Sequence, residues 1–147
     1  MKVDTKANGL IEVDERQKIR IPQGLFGFEN IKDYVLLDSE QEPFYWLQSI
    51  TDQAIAFVLI NPFVFCPLYE VNMSNDELKE IGIDSPDKAL IFVIVTIPPD
   101  GSPITANLQG PIVINRDTKE GKQAVLADIR WQTRHSILEE LEKSGDK

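Results

Sequence analysis

Two side chains could support nucleophilic chemistry, Cys66 and His135, because the chain holds one cysteine and one histidine. A cysteine hydrolase needs a thiolate, a base that activates it and a group that orients the base. Cys66 lies in Phe63-Val-Phe-Cys-Pro67, an apolar setting that disfavours a thiolate, with no Gly-rich turn to hold an oxyanion. It reads as an inert, buried thiol. His135, beside Arg134 and near a helix start, reads as a solvated or capping residue. No Asp-x-Asp-x-Asp-Gly loop, no His-Glu-x-x-His helix and no Walker or dinucleotide glycine pattern occurs, so no metal and no cofactor is expected. Two of the 24 acids could meet in space as a glycosidase pair, but with so many acids that possibility carries no information. A non-enzymatic protein is expected.

The side chains with a more definite chemistry are amides. In Ile104-Thr-Ala-Asn-Leu-Gln-Gly-Pro-Ile-Val-Ile-Asn115, Asn107 and Gln109 stand at spacing two. An extended chain points both to one side and Ala106 and Leu108 to the other. One side enters the core and the other shows amides to something outside. Ile112-Val113-Ile114 is a β-branched run suited to a strand, and Pro111, lacking an N–H, must be its first residue or lie at a bulge.

The elements that position these residues are short strands. Asn8-Gly9 predicts a tight hairpin turn between strands around Val3 and Val13. Ile19-Arg-Ile21 alternates and stops at Pro22; Pro22–Phe28 reads as an apolar loop folded as a plug onto the sheet. Strands follow at Tyr34–Leu37, Phe44–Ile50, Ile55–Ile60 (buried on both faces), Phe63–Phe65 continuing into Tyr69–Val71, Leu90–Ile97, and Gln123–Leu126 returning from a turn near residues 116–121. Ser74-x-x-Glu77 is a capping box for a short helix ended by Gly82, and Ser85-Pro86 starts a single turn. Ser136-x-x-Glu139 starts a second short helix, fraying by Ser144-Gly145. Nine or ten strands with minor helices predict a mainly β fold, a small antiparallel barrel or sandwich.

Size and charge bound the function. At 147 residues the chain is read as one domain, and its 42% hydrophobic fraction and mean hydropathy of -0.19 are those of a soluble protein. No apolar run nears the roughly 20 residues that span a bilayer, and no signal-peptide pattern opens the chain, so it is expected in the cytoplasm, away from membranes. The net charge of -9 is concentrated: between Lys32 and Lys79 there is no basic residue and there are eight acids. Such a stretch favours a basic partner, or serves solubility alone, and disfavours direct nucleic-acid binding.

Asn61-Pro-Phe-Val-Phe-Cys-Pro-Leu-Tyr-Glu70 and Thr105-Ala-Asn-Leu-Gln-Gly-Pro-Ile-Val-Ile-Asn115, in that order, resemble the flagellar assembly factor FliW family. The likeness extends to Asp4-Thr…Gly9-x-Ile-Glu-Val13, Ile21-Pro-Gln-Gly24…Gly27-Phe28 and Gly121-Lys-Gln-Ala-Val-Leu126. It covers about residues 3 to 135; Cys66 and Leu68 depart from the family's usual residues. The resemblance implies a small β-barrel-like (pseudobarrel) domain over residues 1–135; the short helix and frayed tail over 136–147 rest on the Ser136-x-x-Glu139 pattern alone, since the likeness has little counterpart there. It also implies two competing protein partners, flagellin and the CsrA-type RNA-binding translational repressor. Freed when flagellin is exported, the factor captures the repressor and flagellin messenger is translated. A monomer is expected.

The two motifs form the expected partner surface. Asn107 and Gln109 offer paired donors and acceptors. Phe63 and Phe65, on one side of their strand, supply an apolar anchor, and Tyr69 and Glu70 add an amphipathic ring and a charge. Against this, the two phenylalanines could be core, Asn61 could only cap the turn before Pro62, and Asn107 could only satisfy a bulged backbone. Competing functions are a flagellin chaperone without a repressor, a small-ligand barrel lined by Phe44, Tyr45, Trp46 and Phe57, and a Cys66 hydrolase.

Overall fold

The structure is a computed structural model that describes residues 1–145. Eleven strands occur among them, β1 (Lys2–Thr5), β2 (Gly9–Glu12), β3 (Lys18–Arg20), β4 (Asp33–Asp38), β5 (Tyr45–Ser49), β6 (Ala56–Ile60), β7 (Ala89–Thr96), β8 (Thr105–Ala106), β9 (Ile112–Asn115), β10 (Gly121–Gln123) and β11 (His135–Ser136). The helices are α1 (Asn75–Glu80) and α2 (Ile137–Gly145). All strand pairs are antiparallel, and the main sheet runs β10-β9-β7-β6-β5-β4-β3. Its two edges meet at a single point, where the Arg20 N–H donates to the Lys119 carbonyl at 2.9 Å. One bridge is not a ladder, so the sheet is a rolled pseudobarrel and not a closed barrel.

Period-two alternation fills both faces of the sheet. Tyr34, Leu47, Leu59, Phe92, Ile112 and Ile114 point inside with Ile19, Ile21 and Leu25. The intervening residues point outward and are covered by separate pieces of chain. Val35 and Leu37 receive the β1–β2 hairpin through Val3 and Val13. Val113 receives Ile81 and Ile83, which follow α1. Val93 and Val95 receive Phe65, Tyr69, Leu126 and Trp131. Strands apolar on both faces are therefore not a sign of a two-sheet sandwich here. They mark where loops lie flat on the outside.

The helices and the plug loop follow the sequence. Ser74 and Glu77 form the expected capping box on α1, and Gly82 has φ +69°. Leu25 is buried and Phe28 packs edge-on against Phe57 at 5.1 Å, so the Pro22–Phe28 loop does plug the sheet. Within α2, Ile137 joins the core, and the tail expected beyond it extends into residues 146–147, outside those described.

Several expectations need correction. The first hairpin turn is one residue wider than Asn8-Gly9 predicts: Thr5 pairs with Gly9 across Lys6–Asn8, with Gly9 at φ +67°. Residues 63–65 are not a strand. Asn61 accepts the Phe63 N–H at 2.9 Å and Pro62 opens a 3-10 turn, Pro62–Val64, because a capping side chain and a fixed φ favour a helical start over extension. Phe63 and Phe65 therefore do not share a strand face, and Tyr69–Val71 is not a strand either. In β6 only Leu59 and Ile60 are fully buried; Ala56, Phe57 and Val58 are half-buried. The return after β9 is strand only as far as Gln123.

Candidate protein-binding surface

The stretch 104–115 is two strands, not one. β7 pairs with β8 through Val95–Ala106 and Thr96–Thr105, then with β9 through Phe92–Ile112 down to Ala89–Asn115. The shift in register leaves about three extra residues looped out between them, a large bulge. Asn107 still donates its N–H to the Ile94 carbonyl at 2.9 Å, and Pro111 sits where the second pairing begins. Burial alternates through the bulge: Ala106 and Leu108 are buried, Asn107 and Gln109 half-buried.

The amides have definite tasks. Asn107 accepts the Gly110 N–H on its side-chain oxygen at 2.9 Å, closing the bulge on itself. From the other side the Gln123 amide donates to the Gly110 carbonyl at 3.0 Å. A Cβ on Gly110 would stand 3.0 Å from both side-chain nitrogens, so glycine is what lets the two amides close in. The returning chain finishes the bonding, with the Ala124 and Leu126 N–H groups donating to Pro111 and Gln109. Asn107 thus holds the bend. Gln109 is the more available of the pair.

Tyr69 joins the two motifs. Its hydroxyl donates to the Leu108 carbonyl at 2.5 Å, and its ring meets Trp131 edge-on at 4.9 Å and Phe63 at 6.0 Å. Burial pushes its phenol above the usual range, so the O–H stays protonated and available as the donor. Tyr69→Phe leaves the buried Leu108 carbonyl unpaired and is expected to cost about 1–3 kcal/mol, read from urea unfolding.

Outside this core lies the surface. Glu70 stands 3.8 Å from Arg130, whose guanidinium also binds Asp128 at 2.6 Å and covers the Trp131 ring at 4.8 Å. The pairing with Arg130 holds the Asp128 carboxyl below its usual range. Contact between Glu70 and Arg130 sets the chain bearing Leu68 beside the chain bearing Ile129, and these are 82% and 95% exposed. Phe63 is 40% exposed, whereas Phe65 is 1% exposed and belongs to the core. Large apolar side chains held out this far, in a rim of charge, make this face the candidate for contact with another protein. Of the expected residues, the fold brings Phe63 and Glu70 to one face beside Asn107 and Gln109, leaves Asn61 as a cap, and withdraws both Phe65 and Tyr69, since the Tyr69 ring is 3% exposed and belongs to the core beneath that face. Sequence reasoning missed Leu68, Ile129, Arg130 and Trp131. Ile129, an apolar residue between Asp128 and Arg130, was the available signal.

The competing chemistries fare differently. Tyr45 packs on Phe92 at 5.3 Å and Phe57 on Phe28 and Tyr34, so these rings fill the pseudobarrel instead of lining a ligand cavity. A hollow of about 520 Å³ lies elsewhere, under α1, between Met73, Leu78, Ile83 and Ile91. Cys66 is buried. His135 is half-buried and pairs with Glu140 at 2.6 Å, not solvated. Among the described residues no group of three or more His, Cys, Asp or Glu side chains could hold a metal ion, and no helix is long and apolar enough to cross a membrane.

Comparison with known proteins gives one result throughout. The family model described as FliW protein matches residues 2–137. The chain is 51% identical over 145 residues to the flagellar assembly factor FliW of Treponema denticola, covering 99% of each. It is 42% identical to that of Leptospira biflexa over 147 residues, covering 99% of this chain and 96% of the relative. A crystal structure of the flagellar assembly factor FliW superposes with a TM-score of 0.86 at 39% identity, covering 93% of this chain and 96% of that one.

Proposed function

The chain belongs to the FliW family of flagellar assembly factors, and from that premise we propose that it is a non-enzymatic cytoplasmic regulator with two alternative protein partners. It binds flagellin and, when flagellin has been exported, binds and antagonises a CsrA-type translational repressor, coupling flagellin synthesis to assembly. Partner binding falls to the domain of residues 1–135, acting as a monomer, with the C-terminal helix accessory. The observation that carries this reading is the surface joined by the Tyr69–Leu108 hydrogen bond, where exposed Leu68, Phe63 and Ile129 are ringed by Glu70 and Asp128.

Apolar anchors inside a charged rim suit a protein partner better than a small molecule. The acid-only stretch from residue 33 to 78 suits a basic one, which an RNA-binding repressor is. Glu70 keeps one face to solvent while touching Arg130, so a partner cation can share it.

Calorimetric titration with purified flagellin and with a CsrA-type repressor tests the proposal. Both should bind, and flagellin should displace the repressor. Leu68→Asp is expected to weaken binding about tenfold or more with little change in Tm, because that side chain touches mainly water in the free chain. Glu70→Lys should act in the same direction on the repressor. Binding of flagellin alone would reduce the function to a chaperone, and binding of neither would end it. Asn107→Ala is the poorer test, since loss of the Gly110 contact would loosen the bulge itself.

A further inference from the structure

We propose that the cleft between the Pro22–Phe28 loop and α1 is a second contact for the basic repressor, taking a Lys or Arg side chain beside an apolar one. This rests on the repressor partnership proposed above and adds a place and a chemistry to it.

The cleft holds about 360 Å³ between Gln23, Phe26, Glu29, Glu77 and Val125. Phe26 and Val125 are 57% and 64% exposed, a large cost for apolar side chains with nothing to cover them. Phe26 is not there because the loop is loose. Leu25 next to it is buried, and the Phe26 N–H donates to the side chain of buried Gln123 at 2.9 Å. The ring is held out on a fixed backbone, which spares an incoming partner the cost of ordering it.

Charge selects the occupant. Lys122, the cation in the cleft wall, has its ammonium 2.8 Å from the Glu80 carboxylate and 3.2 Å from the Gln23 amide oxygen. It is thereby neutralised. Among the described residues Glu29 and Glu77 have no such cation: Glu29 accepts the Gly27 N–H at 3.0 Å, which holds its carboxyl below the usual range, and Glu77 accepts from Ser74 at the start of α1. The cleft is therefore negative beside an apolar wall. A basic, partly apolar segment complements it; an acidic or nucleic-acid ligand does not. The same stretch of chain that carries Lys122 and Val125 continues to Asp128, Ile129 and Arg130 of the first surface.

The test uses the full chain and purified CsrA-type repressor, with flagellin as the second titrant. Glu29→Gln with Glu77→Gln removes both charges and keeps both acceptors, since glutamine also serves the capping box. It should weaken repressor binding about tenfold at low salt and less at high salt. Phe26→Ala should weaken it about tenfold at either salt. Flagellin affinity should stay within twofold, with unchanged Tm in each variant. Repressor affinity within twofold of the parent overturns the cleft while leaving the partnership standing, and an equal loss for flagellin overturns its assignment to the repressor. A parent chain that does not bind the repressor ends the partnership and the cleft together.

Discussion

Phe65→Ala is expected to destabilise the chain by about 3–5 kcal/mol, the usual cost of emptying a buried aromatic site. Phe65 is 1% exposed and packs among Ile60, Cys66, Val93, Val95 and Leu108 on the outer face of β6 and β7. The 3-10 turn that Asn61 caps is what swings it there, since one residue of helical backbone separates Val64, which is exposed, from Phe65, which is not. Against a total stability of about 5–15 kcal/mol for a domain, the loss is about a fifth or more. The midpoint of urea unfolding should fall at constant slope. Phe63→Ala, whose ring touches Tyr69 from the surface, should cost far less and be felt in partner binding. A small loss for Phe65→Ala would mean that the outer core is loose, and the platform under Leu68 with it.

The pair Phe63 and Phe65 also shows where a sequence stops being legible. Spacing two is a strand signal only if the chain is extended, and Asn61-Pro62 is equally a helical start. Both are local cues of similar strength. Burial decided between them, since the turn puts one ring into a core already facing outward from β7. The strands themselves were readable because β-branched runs such as Leu90–Ile97 and Ile112–Ile114 have no competing helical reading. The bulge was half readable: Pro111 announced a break, but its size depends on β7 being long enough to pair with both β8 and β9. Asn107 and Gln109 do lie opposite Ala106 and Leu108, yet Asn107 spends its oxygen on Gly110. Leu68 and Ile129 could not be found from periodicity, because their neighbourhood is made by contacts between segments sixty residues apart, Glu70 to Arg130 and Tyr69 to Trp131.

Gly24→Ala is the other substitution expected to be severe, at about 3–5 kcal/mol, and it bears on the plug that both the core and the cleft depend on. Gly24 has φ +69°, which costs an alanine about 1–2 kcal/mol by itself. A Cβ there would also stand 2.6 Å from the Glu29 Cα and 2.7 Å from the Phe28 and Glu29 carbonyl oxygens. Those are backbone atoms and cannot rotate aside, so the loop must open. Opening it lifts Leu25 out of the interior, where burial is worth about 1.5–3 kcal/mol, and parts Phe28 from Phe57. Gly27 supplies the control: its φ is +87° but a Cβ meets nothing within 4 Å. Gly27→Ala should show the dihedral cost alone, about 1–2 kcal/mol, and the excess for Gly24→Ala measures the collision. Equal losses in the two variants would show that the loop can move away from Glu29 freely. In that case Phe26 would not be held at the cleft by its own backbone.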